Sequence, residues 1–194
     1  MTTTDWLADQ RGELAADRIL DAAAGAFATN GVGATSMADI AERAGCSRAT
    51  LYRHFPSRHE LRRAFVNRET LRVMAEVDVG DPGSTGPAEM LLAGILGALR
   101  SVRSDPALVA WFAPGDLRIA AELSDQDEVL GAVADGFLAA AGVTDRSEGR
   151  RRARWLVRSF TSFLVLPEPD PDEERRLIAD FLVPAILAPY LPAT

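Results

Sequence analysis

Apolar side chains recur three and four residues apart along most of this chain, and no stretch keeps the strict alternation of a half-buried strand. Ala16, Ile19, Leu20, Ala23 and Phe27 form one stripe, and Asn30-Gly31 behind it is a helix stop. Ser36 opens a second helix, with Asp39 three residues on in a box-like arrangement, and Met37, Ile40, Ala41 and Ala44 make its inner face before Gly45 ends it. Ser47 caps a short third helix carrying Leu51 and Phe55 on one face, and Pro56 stops it. Ser57-Arg58-His59-Glu60 reads as a full capping box for a fourth helix, which runs through Leu61, Phe65, Arg68 and Leu71 to about Val77.

The stretch from Asp78 to Pro87 then holds three glycines and two prolines in ten residues, the clearest break in the chain. Beyond it the pattern predicts helices near 87–103, 105–113, 116–123, 125–141, 146–166 and 171–190, punctuated by Pro106, Pro114-Gly115, Gly142 and the proline-rich run 167–171. Pro184 falls inside the last of these and is expected to kink or shorten it. The prediction is an all-α chain with a head at 1–56, a connecting helix at 57–77 and a larger helical body at 78–194.

Composition narrows the function. Apolar residues make up 47% and charged residues 25%, which suits a folded core rather than a disordered chain. Cys46 is the only cysteine, so neither a disulfide framework nor a thiolate metal cluster is available. The two histidines, His54 and His59, are five apart, poor spacing for a metal pair on one helix face. Residues 1–10 lack a basic n-region and an apolar h-region, and the apolar run 90–99 is too short to span a bilayer. These features predict a soluble cytoplasmic protein with no membrane partner, no metal and no cofactor.

Charge is uneven, and that changes the picture most. Residues 43–72 carry eight arginines against Glu60 and Glu69, while residues 73–194 carry eleven arginines against nineteen acids. A basic segment on an acidic body points to local contact with a polyanion. Within that segment, Ala41, Gly45 and Leu51 have the spacing of a helix-turn-helix: a small residue where two helices cross, a residue tolerant of positive φ in the turn, and an apolar pin. With Leu51 and Phe55 facing inward, Arg48, Thr50, Tyr52 and His54 fall on the outer face and flanks, and these types suit a DNA groove. An ordinary αα corner would share the spacing but would not need the arginines.

Residues 35–61, TSMADIAERAGCSRATLYRHFPSRHEL, resemble the DNA-binding signature of the tetracycline-repressor (TetR) family of bacterial regulators, and RILDAAAGAFATNGVGAT before them resembles that family's first helix and turn. Cys46 and Arg58 depart mildly from the family, which more often has Val or Ile at the first and Lys at the second. The resemblance implies that Thr35 and Ser36 meet a phosphate and that Ser47 also belongs to the DNA-contacting set. It places Arg48, Ala49 and Thr50 in the major groove, sends Tyr52 and His54 to phosphate or base edges, and has Arg58 hold the backbone.

The resemblance also implies a homodimer on a palindromic operator, since one short helix reads too few base pairs. The last two helices would form the dimer surface, with Trp155, Phe163, Leu177, Phe181 and Ile186 as candidates. The central helices would enclose a small-molecule effector, with Met90, Leu91, Ile95, Trp111, Phe112, Leu117, Arg118, Phe137 and Phe160 as candidate lining. The expected function is a repressor released from its operator by an inducer. The alternative is a helical adaptor that has lost DNA binding. An enzyme is not expected: Cys46 near His54 has no third orienting group, and the acids Asp170, Asp172, Glu173 and Glu174 sit at a helix start, where acids are favoured anyway. No residue is assigned a catalytic role.

Overall fold

Caps and breakers set the helix boundaries. Asp105 accepts from the Ala107 N–H with Pro106 in the first turn, Asp145 accepts from the N–H groups of Ser147 and Glu148, and Asp170 accepts from Asp172 with Pro171 beside it. The computed structural model describes residues 3–80, 85–126, 128–143 and 145–188, the side chains of 3–11, 124–126 and 146 excepted. All regular structure among them is helical, in the order α1 (Thr3–Asn30), α2 (Met37–Ala44), α3 (Arg48–His54), α4 (Arg58–Glu76), α5 (Pro87–Ser104) and α6 (Pro106–Val109), which continues into a 3-10 turn (Ala110–Phe112). Then come α7 (Leu117–Gln126), α8 (Glu128–Ala140), α9 (Arg146–Val165), α10 (Pro171–Leu177), a π-helical turn (Ile178–Leu182) and α11 (Val183–Leu187). Of the Gly- and Pro-rich break, residues 81–84 lie outside the described residues, as do residues 189–190 of the last predicted helix.

The chain packs as two units, and the division is not the one its breaks suggest. One unit is Met1–Glu69 together with Asp105–Leu123; the other is Thr70–Ser104 together with Ser124–Thr194. Residues 105–123, read from sequence as part of the body, thus pack with the head. Trp111 shows why. Its ring stacks on Phe65 with centroids 5.9 Å apart and meets Phe27 edge-on at 5.6 Å, while Phe27 and Phe65 make a T-shaped pair at 5.2 Å. All three rings are almost fully buried. Such pairs contribute about 0.5–1.5 kcal/mol each beyond the burial of their area.

In the second unit, Leu91, Ile95 and Leu99 of α5, Leu138 of α8, Leu156 of α9, Ile178 and Leu182 of the π turn, and Val183 and Ile186 of α11 share one apolar core. A paired charge joins α5 to α10 in the same unit. Arg103 donates from Nη1 and Nη2 to the two carboxylate oxygens of buried Glu174, at 2.8 and 2.7 Å, and Nη2 also reaches the Phe163 carbonyl at 2.9 Å. Pro184 does not stop its helix. Proline has no N–H for the carbonyl four residues back, and the backbone widens into the π turn before it, so the helical run continues to Leu187.

Candidate nucleic-acid interface

Helices α2 and α3 are set by local signals, and each can be checked atom by atom. Ser36 and Asp39 form a complete capping box: Ser36 Oγ accepts from the Asp39 N–H at 3.2 Å, and Asp39 Oδ2 accepts from the Ser36 N–H at 2.8 Å and from the Ser36 hydroxyl at 2.7 Å. These hydrogen bonds hold the Asp39 carboxyl below the usual carboxylate range, with a smaller contribution from the charge of Arg48. Gly45 ends α2 at φ +66, a left-handed conformation that a side chain would strain. Ser47 then caps α3, accepting from the Thr50 N–H at 3.1 Å.

Burial sorts the two faces of α3. Ala41 and Leu51 are buried where the helices cross, with Phe55 just beyond, while Arg48, Ala49, Tyr52 and Arg53 are exposed and Thr50 and His54 are partly so. An arginine fork, a methyl, a phenol and an imidazole therefore lie on or beside one open helix face, side-chain types that suit base edges and phosphates. Arg58 is exposed at the start of α4, where its Nη1 donates to the Gly33 carbonyl at 3.3 Å. Ser57 Oγ accepts from the Glu60 N–H at 3.1 Å, while the Glu60 carboxylate binds Arg63 at 2.6 Å.

Thr35 needs correction as a phosphate contact. It has no exposed surface, and its hydroxyl donates inward, 2.7 Å from the Gly31 carbonyl and 3.3 Å from that of Ala26. A hydroxyl consumed by the turn it stabilises is not available to a ligand. The Ser36 and Ser47 hydroxyls are also engaged in caps, Ser47 Oγ lying 2.9 Å from Thr50 Oγ1, but Ser47 is exposed and Ser36 partly so. Arg53, absent from the expected set, shares the exposed surface of α3; its place in the basic run was the available signal.

The nine candidate pocket residues divide between the units. Leu91 and Ile95 are core residues of the second unit, Phe137 and Phe160 pack partly buried against that core, and Met90 is buried on α5. Trp111, Phe112, Leu117 and Arg118 belong to the first unit. Trp111 is part of its aromatic core, and Arg118 turns outward to pair with Glu122, which corrects its assignment as lining. The second unit does hold a cleft of about 790 Å³, which Pro87, Val143, Asp145, Glu148, Arg151 and Arg152 help to line, and none of the nine candidates lines it.

The dimer candidates also separate. Trp155 and Phe181 are exposed, at 55% and 70%, and Phe163 and Leu177 are half-buried. Ile186 has no exposed surface and is a core residue of its own unit, so it cannot meet a second copy; the close packing of α11 on α5 and α9 accounts for this.

Fold and site together define a helix-turn-helix DNA-binding regulator, and the comparisons name its family. The family described as bacterial regulatory proteins, tetR family, matches residues 19–65. The chain is 48% identical over 186 residues to an uncharacterized HTH-type transcriptional regulator, Rv1255c, of Mycobacterium tuberculosis (strain ATCC 25618 / H37Rv), covering 96% of this chain and 92% of that protein. It resembles the crystal structure of AlkX, a TetR family repressor from Dietzia sp. strain DQ12-45-1b implicated in biodegradation of n-alkanes, with 26% identity and a TM-score of 0.64 over 87% of this chain and 93% of that one. RolR in complex with resorcinol shares the fold, with 19% identity and a TM-score of 0.68 over 95% and 98% of the two chains. This chain belongs to the TetR family of helix-turn-helix transcriptional regulators. No helix among the described residues is long and apolar enough to cross a membrane.

Proposed function

We propose that the protein is a homodimeric repressor that reads a palindromic operator through α3 and leaves it when a small molecule binds. The observation that carries the DNA reading is the open face of α3, with Arg48, Ala49 and Tyr52 exposed, Thr50 and His54 beside them, and Leu51 buried beneath. Arg48, Ala49 and Thr50 enter the major groove. Tyr52, His54 and Arg58 engage phosphates or base edges, and Ser36 and Ser47 sit beside the backbone at the helix starts. Dimerisation places two such helices on a two-fold axis, with half-sites about 34–36 Å apart or at a longer multiple. Exposed Trp155 and Phe181, with half-buried Phe163 and Leu177, supply the apolar surface for that contact.

Effector response is supported by a relative of the same fold that holds a ligand, RolR with resorcinol. Helix α4 is continuous from the first unit into the second, ending at Glu76, so a state of the second unit that tilts α4 alters the separation of the two heads. The effector shifts DNA affinity by as much as its affinities for the two states differ.

Selection from a random duplex library with the full-length protein at stated salt tests the reading. The expected result is a palindrome with the spacing above, bound at a stoichiometry of two chains or a multiple of two. A chain that enriches no sequence and shows no salt-dependent duplex binding would instead be a helical adaptor.

A further inference from the structure

The turn that leads into α2 is held largely by side chains from elsewhere in the chain. The Val32 N–H donates to Asp116 Oδ2 and the Gly33 N–H to Asp116 Oδ1, each at 2.9 Å and from 84 and 83 positions away. The Val32 carbonyl accepts from Nη2 of Arg62, and the Gly33 carbonyl from Arg58. Asp116 and Arg62 are both 8% exposed. Asp116 has a firm base, since its own N–H donates to the Ala113 carbonyl at 2.8 Å and its carbonyl accepts from Ile119 and Ala120 as α7 begins. The seat exists because residue 33 is glycine: a β-carbon there would lie 2.5 Å from Asp116 Oδ1.

We propose that Asp116 is a positioning residue for DNA binding, fixing the backbone of Val32 and Gly33 so that α2, and α3 packed on it, start from one geometry. The inference rests on the reading of α3 as the DNA-contacting helix. Ser36, the cap of α2, follows Gly33 by three residues, so a turn that shifts carries the cap with it. Two bonds to a carboxylate, away from bulk water, are replaced in an asparagine by one bond and one N–H facing an amide donor. The same change removes a charge that favours the buried Arg62 guanidinium, which burial and the neighbouring Arg58 both disfavour.

A positioning role differs from a merely structural one in what it spares. The exposed arginines of Asp116→Asn still neutralise phosphates, so non-specific binding persists while sequence-specific binding falls. The experiment compares wild type, Asp116→Asn and Gly33→Ala as full chains, on a selected palindromic duplex and a scrambled one at the same salt, with thermal melting and amide hydrogen exchange. Both variants are expected to weaken the palindrome about tenfold or more, to change the scrambled duplex by less than about twofold, and to speed exchange at Val32 and Gly33. Faster exchange at those amides with unchanged palindrome affinity overturns the proposal, and so does equal weakening of both duplexes. If Asp116→Asn loses cooperative melting, Gly33→Ala decides by the same readings. A wild type that does not prefer the palindrome overturns the DNA reading itself and takes this inference with it, a result distinct from a variant that behaves as wild type.

Discussion

Two clusters of polar side chains, one in each unit, serve different ends. In the first, Thr35, Arg62 and Asp116 converge on one backbone turn, and their partners are peptide groups of residues 31–33, with Ala26 a further acceptor for Thr35. In the second, Arg103 and Glu174 bind one another and tie α5 to α10. A polar network on a turn fixes the direction of the helix that follows; a paired charge between helices fixes their packing. Their surfaces differ in the same sense. Helix α3 presents polar side chains around Tyr52, whereas the second unit leaves Trp155, Leu166 and Phe181 exposed. One surface suits a polyanion and the other an apolar partner.

The comparison breaks most visibly at the first unit's aromatic core. Phe65 has no exposed surface and contacts both Phe27 and Trp111. Phe65→Ala is expected to cost about 3–5 kcal/mol, because a cavity that size closes only in part. Urea denaturation measures the loss, and hydrogen exchange should place it in α1, α4 and residues 105–123. Equal loss of protection across α8 and α9 would show that the units do not differ in this way.

The second unit's pair is next in size. Glu174→Gln leaves Arg103 without its carboxylate, but Arg103 is one-third exposed and keeps the Phe163 carbonyl, so the change is expected to cost about 2 kcal/mol at neutral pH. Its pH dependence has a definite sign. The hydrogen bonds from Arg103 lower the Glu174 carboxyl below its ordinary value of 4.5. That contribution is complete above 4.5 and is lost as pH falls through the lowered folded value. The stability gap between wild type and Glu174→Gln should therefore close on acidification from pH 5 downward, and a gap independent of pH would contradict the assignment.

Arg48→Ala sharpens the contrast from the other side, since it should change binding and leave folding alone. If Arg48 forks onto a base edge, its loss is expected to cost about 1–3 kcal/mol at one or two positions of the operator and to relax preference there. The melting temperature should hold. A uniform loss on every duplex would make Arg48 a phosphate contact instead.

The same contrast explains what could be read from the sequence. The caps at Ser36 and Ser47, the glycine at 45 and the apolar pins at Leu51 and Phe55 are signals that act within a few residues, and each stands where its spacing places it. Asp116 acts on residues 83 and 84 positions away, and nothing in the local pattern of 105–123 distinguishes it from a solvated acid. Trp111 and Ile186 carried the periodicity of a helix face, which does not say which neighbour covers that face. The phosphate role that the resemblance implies for Thr35 fails for a related reason: a polar type at a helix start suits a phosphate and a turn carbonyl equally well.

The smallest expected effect separates the units at their helix caps. Ser36→Ala removes the acceptor for the Asp39 N–H and the hydroxyl that donates to Asp39 Oδ2, but it keeps the backbone N–H bond to that carboxylate. With half of the box intact, the cost in stability is about 1 kcal/mol. Asp145→Ala strips α9 of a cap that accepts from Ser147 and Glu148, and it too should lower the melting temperature. Only the first lies at the start of the helix that carries α3. Titration of both variants against the palindrome is therefore expected to show weaker binding for Ser36→Ala and wild-type binding for Asp145→Ala. If the two lose affinity alike, a cap in the second unit reaches DNA as effectively as one in the first. The division of labour between a turn that aims a helix and a body that packs around its own charge would then have to be abandoned.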